Sequence, residues 1–91
     1  MNRKELIDAI ASDTEASKAA IGRILDSLTR HVVDTVAQGD SVRLAGFGTF
    51  ELVIAKEKTG RHPVSGASIR IPATVRPRFV PGAAFKTQVK R

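Results

Sequence analysis

Thr59-Gly60-Arg61-His62-Pro63-Val64-Ser65-Gly66 is the stretch on which the reading of this chain turns. It holds glycines at both ends, a proline and a guanidinium, and almost nothing suited to a core. The runs on either side alternate as strands do. Phe50, Leu52 and Ile54 come before it, followed by Lys56 and Lys58 in the same phase. Ile69 and Ile71 come after it, with Ser68 and Arg70 in the opposite phase. Residues two apart share a face of a strand, so the pattern predicts two antiparallel strands joined by a turn. From Leu52 to Gly60 such a strand reaches roughly 30 Å. The apolar residues stop short of the tip, so the hairpin is expected to be packed at its base and to stand in solvent at its end. An arm of this kind, spanning about residues 53–76, points to a grip on DNA.

Charge supports that direction. The net charge is +6, but the distribution is uneven. Residues 1–50 carry 6 Lys/Arg and 7 Asp/Glu, whereas residues 51–91 carry 9 Lys/Arg against only Glu51 and Glu57. An excess of cations in the arm and beyond favours a polyanion, nucleic acid before an anionic membrane. A merely well-solvated basic surface is the plainer alternative. With 91 residues the expectation is a single domain, 1–91, with a modest core that a partner chain would supplement. Cysteine is absent, which removes disulfides and thiolate metal sites. Arg3, Lys4, Glu5 and Asp8 interrupt any signal-peptide core, and Leu52-Val53-Ile54-Ala55 is far too short to span a bilayer. A soluble, intracellular protein is expected.

Before the arm, the chain is helical. Asn2 with Glu5 three residues on fits a capping box, and Leu6, Ile7 and Ile10 form one face. Ser12-Asp13-Thr14 closes this helix and Ser17 caps the next. Ile21, Ile24, Leu25, Leu28, Val32 and Val36 then recur at helical spacing, and Gly39 stands where a left-handed C-cap is wanted. Gly22 inside the helix costs about 1 kcal/mol relative to alanine and suits a close neighbour. Two helices raise the question of a helix-turn-helix reader. Lys18 and Arg23 at the start of the second helix do not make a base-reading cluster, so a scaffold pair fits better.

A strand over Ser41–Ala45 is expected next, with Val42 and Leu44 inward, then a tight Gly46-Phe47-Gly48 connection into the arm. The returning strand holds Pro72 and Pro77, which belong at an edge or a bulge because proline has no ladder donor. Pro81-Gly82 precedes a short final helix, packed by Phe85 and Val89 and exposing Lys86, Lys90 and Arg91. The fold class is therefore α+β: two N-terminal helices, a three-stranded antiparallel sheet with a protruding hairpin arm, and a short C-terminal helix.

Several chemistries fail on the residues. Gly46-Phe47-Gly48-Thr49-Phe50-Glu51 begins like a dinucleotide fingerprint, but it ends in Glu51 and leads into a strand. His31 and His62 have no companions at metal or catalytic spacing, so they read as surface or helix-packing residues. No nucleophile–base pattern appears. The expectation is no enzyme, no metal and no cofactor. Phe47, Phe50, Phe79 and Phe85 lie in apolar patterns and read as core, which argues against stacking on single-stranded bases. Double-stranded DNA needs only cations meeting phosphates, and Lys56, Lys58, Arg61, Arg70, Arg76, Arg78 and Lys86 can supply them. Pro63 alone is an ordinary turn proline. At the end of a cationic arm, its ring can instead enter a base step and kink the duplex, with Arg61 in the minor groove beside it.

Gly46-Phe47-Gly48-Thr49-Phe50, Thr59-Gly60-Arg61-His62-Pro63, Ile71-Pro72-Ala73, Pro77-Arg78-Phe79 and Pro81-Gly82 occur in that order. In order and spacing the whole chain resembles the bacterial histone-like HU and integration host factor proteins. That family is itself a standard case of minor-groove bending, so the wedge mechanism is the family's. The resemblance implies an intertwined dimer, either with itself or with a related subunit. It implies a helical base, a sheet saddle and two arms that wrap the minor groove. It puts Pro63 at the wedge with Arg61 and His62 beside it, and Arg3, Lys18, Arg76, Arg78 and Lys86 on phosphates. It puts Phe47, Phe50 and Phe79, with Leu44, in the dimer core. Relatives usually carry asparagine where His62 stands, and commonly arginine where this chain has Val53 or Ala55. An imidazole at the tip would add pH dependence to binding, since free imidazole titrates near pH ~6.5. The expected function is architectural: binding and bending double-stranded DNA with little sequence preference, in the cytoplasm at the nucleoid. A sequence-selective, integration-host-factor-like protein is the alternative, and an RNA-binding module a more distant one.

Overall fold

The computed structural model describes all residues, Met1–Arg91. It contains α1 (Arg3–Thr14), α2 (Lys18–Ala37), β1 (Val42–Leu44), β2 (Gly48–Ala55), β3 (Lys58–Arg61), β4 (Ser68–Ile71), β5 (Thr74–Pro81) and α3 (Ala83–Val89). The α+β class expected from the sequence holds. The chain forms two compact units, Met1–Asp34 and Thr35–Arg91.

In the first unit the helix boundaries follow their caps. Asn2 Oδ1 accepts the Glu5 amide at 2.9 Å, and Ser17 Oγ accepts that of Ala20 at 3.1 Å. α1 stops at Thr14 because Glu15 turns left-handed, with φ 61°, while its amide still donates to Ala11 O. Arg3 reaches across to α2 and donates to Gly22 O at 3.1 Å and Asp26 Oδ1 at 2.8 Å. A Cβ on Gly22 would lie 3.8 Å from the Arg3 guanidinium and 4.0 Å from Ile7 Cδ1, so α1 does pass close to this glycine.

In the second unit β1, β2 and β5 form a three-stranded antiparallel sheet in that order. Gly39 and Gly46 both have positive φ, at the end of α2 and in the turn from β1 to β2. β1 is a residue shorter at each end than expected, because Ser41 is taken into the turn by the Asp40 side chain and Ala45 begins the next turn. β5, with Pro77, is an edge strand, so the missing donor costs no ladder bond inside the sheet. Phe50 and Phe79 are directly opposite each other on β2 and β5, with ring centroids 4.9 Å apart. Phe47 joins Phe79 at 5.1 Å and Phe85 at 5.5 Å, so α3 is tied to the same aromatic cluster. A Cβ on Gly48 would fall 2.6 Å from the Phe79 ring and from Val80 O, so only glycine fits beneath that ring.

The interior of a single chain is small. Ile21 and Val36, 3% and 6% exposed, are its only buried apolar side chains. Phe47 is still 42% exposed and Phe79 36%, and Ile24, Leu28 and Val33 on α2 are also open. The phenylalanines expected as core are only partly enclosed by their own chain. No helix is long and apolar enough to cross a membrane.

Candidate nucleic-acid interface

The arm is a hairpin in two ladder segments. β2 and β5 pair from Gly48↔Pro81 to Ala55↔Thr74, and β3 and β4 pair from Lys58↔Ile71 to Arg61↔Ser68. Between them residues 56 and 57 lie opposite 73 and 72 without ladder assignment. The register is the same on both sides of this interruption, so the break contains no bulge. It falls at Pro72, which cannot donate. The β2–β5 ladder extends to Ala55 and Thr74, and residues 56–73 lie beyond it. Thr59 and Gly60 are strand, as the run from Leu52 to Gly60 predicts, and the β3–β4 ladder continues one residue further to Arg61↔Ser68.

Opposite residues of an antiparallel pair share a face, and successive residues alternate. On the stem, one face carries Glu51 with Arg78 and Val53 with Arg76. On the tip hairpin, the positions of the same parity are Thr59 with Arg70 and Arg61 with Ser68. An Arg70–Glu57 ion pair links the tip hairpin to the interruption, and Glu57 has this same parity. Arg78, Arg76, Arg70 and Arg61 therefore form a single series along the arm. The other face carries the Phe50–Phe79 pair, Ile54 with Val75, Lys58 with Ile71, and Gly60 with Ile69.

Not all of these cations are equally available. Arg78 Nη2 is 3.3 Å from Glu51 Oε1, and Arg70 is held by Glu57. In the helical unit, Arg3 is paired with Asp26 at 2.8 Å and Lys18 with Asp8 at 3.0 Å. Lys56, Lys58, Arg61, Arg76 and Lys86 pair with no carboxylate. Lys86 sits in the last turn of α3, where a cation complements the helix dipole. Leu44, expected in a dimer core, is half-buried on β1.

The tip is a closed loop. The His62 amide donates to Ala67 O at 2.8 Å, and the Gly66 amide donates to His62 O at 2.9 Å, with Gly66 at φ 71°. His62 Nδ1 accepts the amides of Val64 and Ser65, each at 3.2 Å. Arg61 Nη1 lies 3.5 Å from Gly66 O. Pro63 and Val64 are at the exposed end, Val64 with 89% of its surface open. His62 is therefore a surface residue, as one of the two sequence readings has it, and its ring also accepts two amides of the tip loop. Its spacing to Val64 and Ser65 was visible in the sequence, but an imidazole is a less familiar partner for turn amides than asparagine or aspartate.

A small α+β chain whose longest feature is an arginine-lined hairpin with an apolar end defines a nucleic-acid-binding class. Comparison with known proteins narrows it. The family model described as bacterial DNA-binding protein matches residues 1–90. DNA-binding protein HU of Xylella fastidiosa (strain 9a5c) is 43% identical over 90 residues, covering 99% of this chain and 96% of the relative. DNA-binding protein HU-beta of Escherichia coli (strain K12) is 44% identical over 89 residues, covering 98% and 99%. Among solved structures, the Anabaena HU–DNA cocrystal structure aligns with a TM-score of 0.81 at 36% identity, over 99% of this chain and 98% of that one. HU from Thermotoga maritima aligns at 0.70 with 33% identity, over 99% and 100%. The chain belongs to the bacterial DNA-binding protein family, that of HU. The family is one of architectural DNA-binding proteins and not of enzymes.

Proposed function

We propose that this protein binds and bends double-stranded DNA as a nucleoid-associated architectural factor in the cytoplasm, with low sequence preference. The observation that carries the reading is the single series Arg78, Arg76, Arg70 and Arg61 leading to Pro63 at the tip. Guanidinium groups spaced along one face of an extended arm suit the phosphates and floor of a minor groove. An apolar ring at the end suits insertion between base pairs, which kinks the duplex. Lys56, Lys58 and Lys86 add phosphate contacts. Arg3 and Lys18 do so at the expense of their bonds to Asp26 and Asp8. The relatives named HU favour this reading over a sequence-selective one.

The whole of 1–91 acts as one DNA-binding domain in a homodimer or a dimer with a related subunit. Support comes from the small interior of the single chain and from the open rims of Phe47 and Phe79. Two intertwined copies would enclose those rings together with Leu44 and Phe50, and would cover the open Ile24 and Leu28, which share one face of α2.

The test is a competition titration with random duplex, nicked or kinked duplex, and RNA, together with bending measured by FRET. Distorted duplex should compete best, because part of the deformation cost is already met. Pro63→Ala should lower the bend angle more than the affinity. Preferential binding to RNA, or full bending by the alanine variant, would remove the proposed mechanism.

A further inference from the structure

We propose that His62 is the positioning residue of the arm tip: through Nδ1 its imidazole sets the turn that holds Pro63 at the apex. The consequence for bending rests on the wedge reading above, whereas the structural part stands on the free protein. Proline fixes its own φ but brings no N–H, so the shape of the loop after Pro63 depends on what satisfies the next amides. Both of those amides, from Val64 and Ser65, converge on the single Nδ1 atom at 3.2 Å. The backbone of the same residue supplies two further bonds, to Ala67 O and from the Gly66 amide. One residue thus fastens both limbs of the loop around Pro63.

The chemistry fixes the tautomer. A nitrogen that accepts two N–H groups carries no proton, so in the neutral ring the hydrogen is on Nε2. Nε2 makes no bond within the protein and the residue is exposed. The ring therefore clamps the loop with one nitrogen and leaves a donor on the other. A wedge that must be ordered as it enters a base step loses part of its binding energy to that ordering. A loop already closed on His62 avoids that loss. Of the arm-strand cations only Arg61 touches the loop, at Gly66 O, and the others are held by the strands, so bending should suffer more than affinity when the clamp is removed.

Two substitutions and two readouts test this. In the free protein, His62→Ala should raise amide exchange at Val64 and Ser65 by roughly two- to tenfold, the range for losing one net hydrogen bond. His62→Asn should restore protection, because an asparagine carbonyl accepts amides two and three residues on. In FRET on a bent duplex, the alanine variant should move toward the bend angle of Pro63→Ala, and the asparagine variant should return to that of the parent. Unchanged exchange at Val64 and Ser65 in the alanine variant would overturn the proposal. So would a bending defect that asparagine does not repair. If Pro63→Ala itself bends DNA fully, the wedge reading fails instead, and the exchange data alone judge the clamp.

Discussion

Glu57→Gln should make this protein bind DNA more tightly, an uncommon result for a substitution within a binding arm. Glu57 lies on the arginine face and holds Arg70, and both side chains are well exposed, 48% and 78%. Exposed ion pairs contribute about 0.2–1 kcal/mol, so folding stability should change by less than about 1 kcal/mol. On DNA the effect is different, because the carboxylate faces phosphates and occupies a guanidinium that could meet one. Each phosphate contact contributes about 0.9 to the slope of log affinity against log salt. In a dimer the substitution occurs twice, so the slope should steepen by about 1.8. Between 50 and 200 mM salt the variant should then lose about 12-fold more affinity than the parent, starting from tighter binding at the low end. Fluorescence anisotropy with a labelled duplex across that range measures both quantities. The double variant Glu57→Gln/Arg70→Ala should lose most of the gain. An unchanged slope, or a gain that persists without Arg70, would refute the argument that Glu57 sequesters this arginine.

Arg61 has no carboxylate partner, so Arg61→Ala should flatten the salt slope by about 0.9 for each phosphate it meets, with weaker binding to all duplexes in the same anisotropy titration. Phe79 touches all three other phenylalanines, and with the proposed partner chain completing its burial Phe79→Ala should cost roughly 3–5 kcal/mol in chemical denaturation, with a midpoint that depends on protein concentration. Gly48→Ala forces a methyl within 2.6 Å of that ring and should lower stability by about 1–3 kcal/mol, read as a lower Tm; an unchanged Tm would mean the ring is free to move aside.

Much of this architecture could be read from residue order. Asn2 and Ser17 were recognisable as caps because their side chains act on amides only three residues away. Gly39 and Gly46 announced left-handed backbone, and the alternation of Phe50, Leu52 and Ile54 announced a half-covered strand. The pairing was harder. Nothing local says that β5 matches β2 in the register that makes Arg78, Arg76, Arg70 and Arg61 one series, since that depends on how many residues the tip consumes. The interruption was half visible, in Pro72, but its lack of a bulge was not. Residue order shows the acids of the arm but not their partners: Glu51 and Glu57 engage residues 27 and 13 positions away. The left-handed turn at Glu15 had no glycine or asparagine to mark it.

The unbroken register has a consequence for how such arms can change in length. Side-chain direction repeats every two residues, so one residue gained or lost on each strand between the stem and the tip would turn the far hairpin over. Arg61 and Arg70 would then point with Ile69 and Ile71's present side, and the series of guanidinium groups would be cut in half. Viable insertions and deletions must come as matched pairs, two residues out and two residues back. The reach of this finger is thus quantised in steps of roughly 7 Å, and any natural or engineered variant of intermediate length should be found only with a compensating bulge.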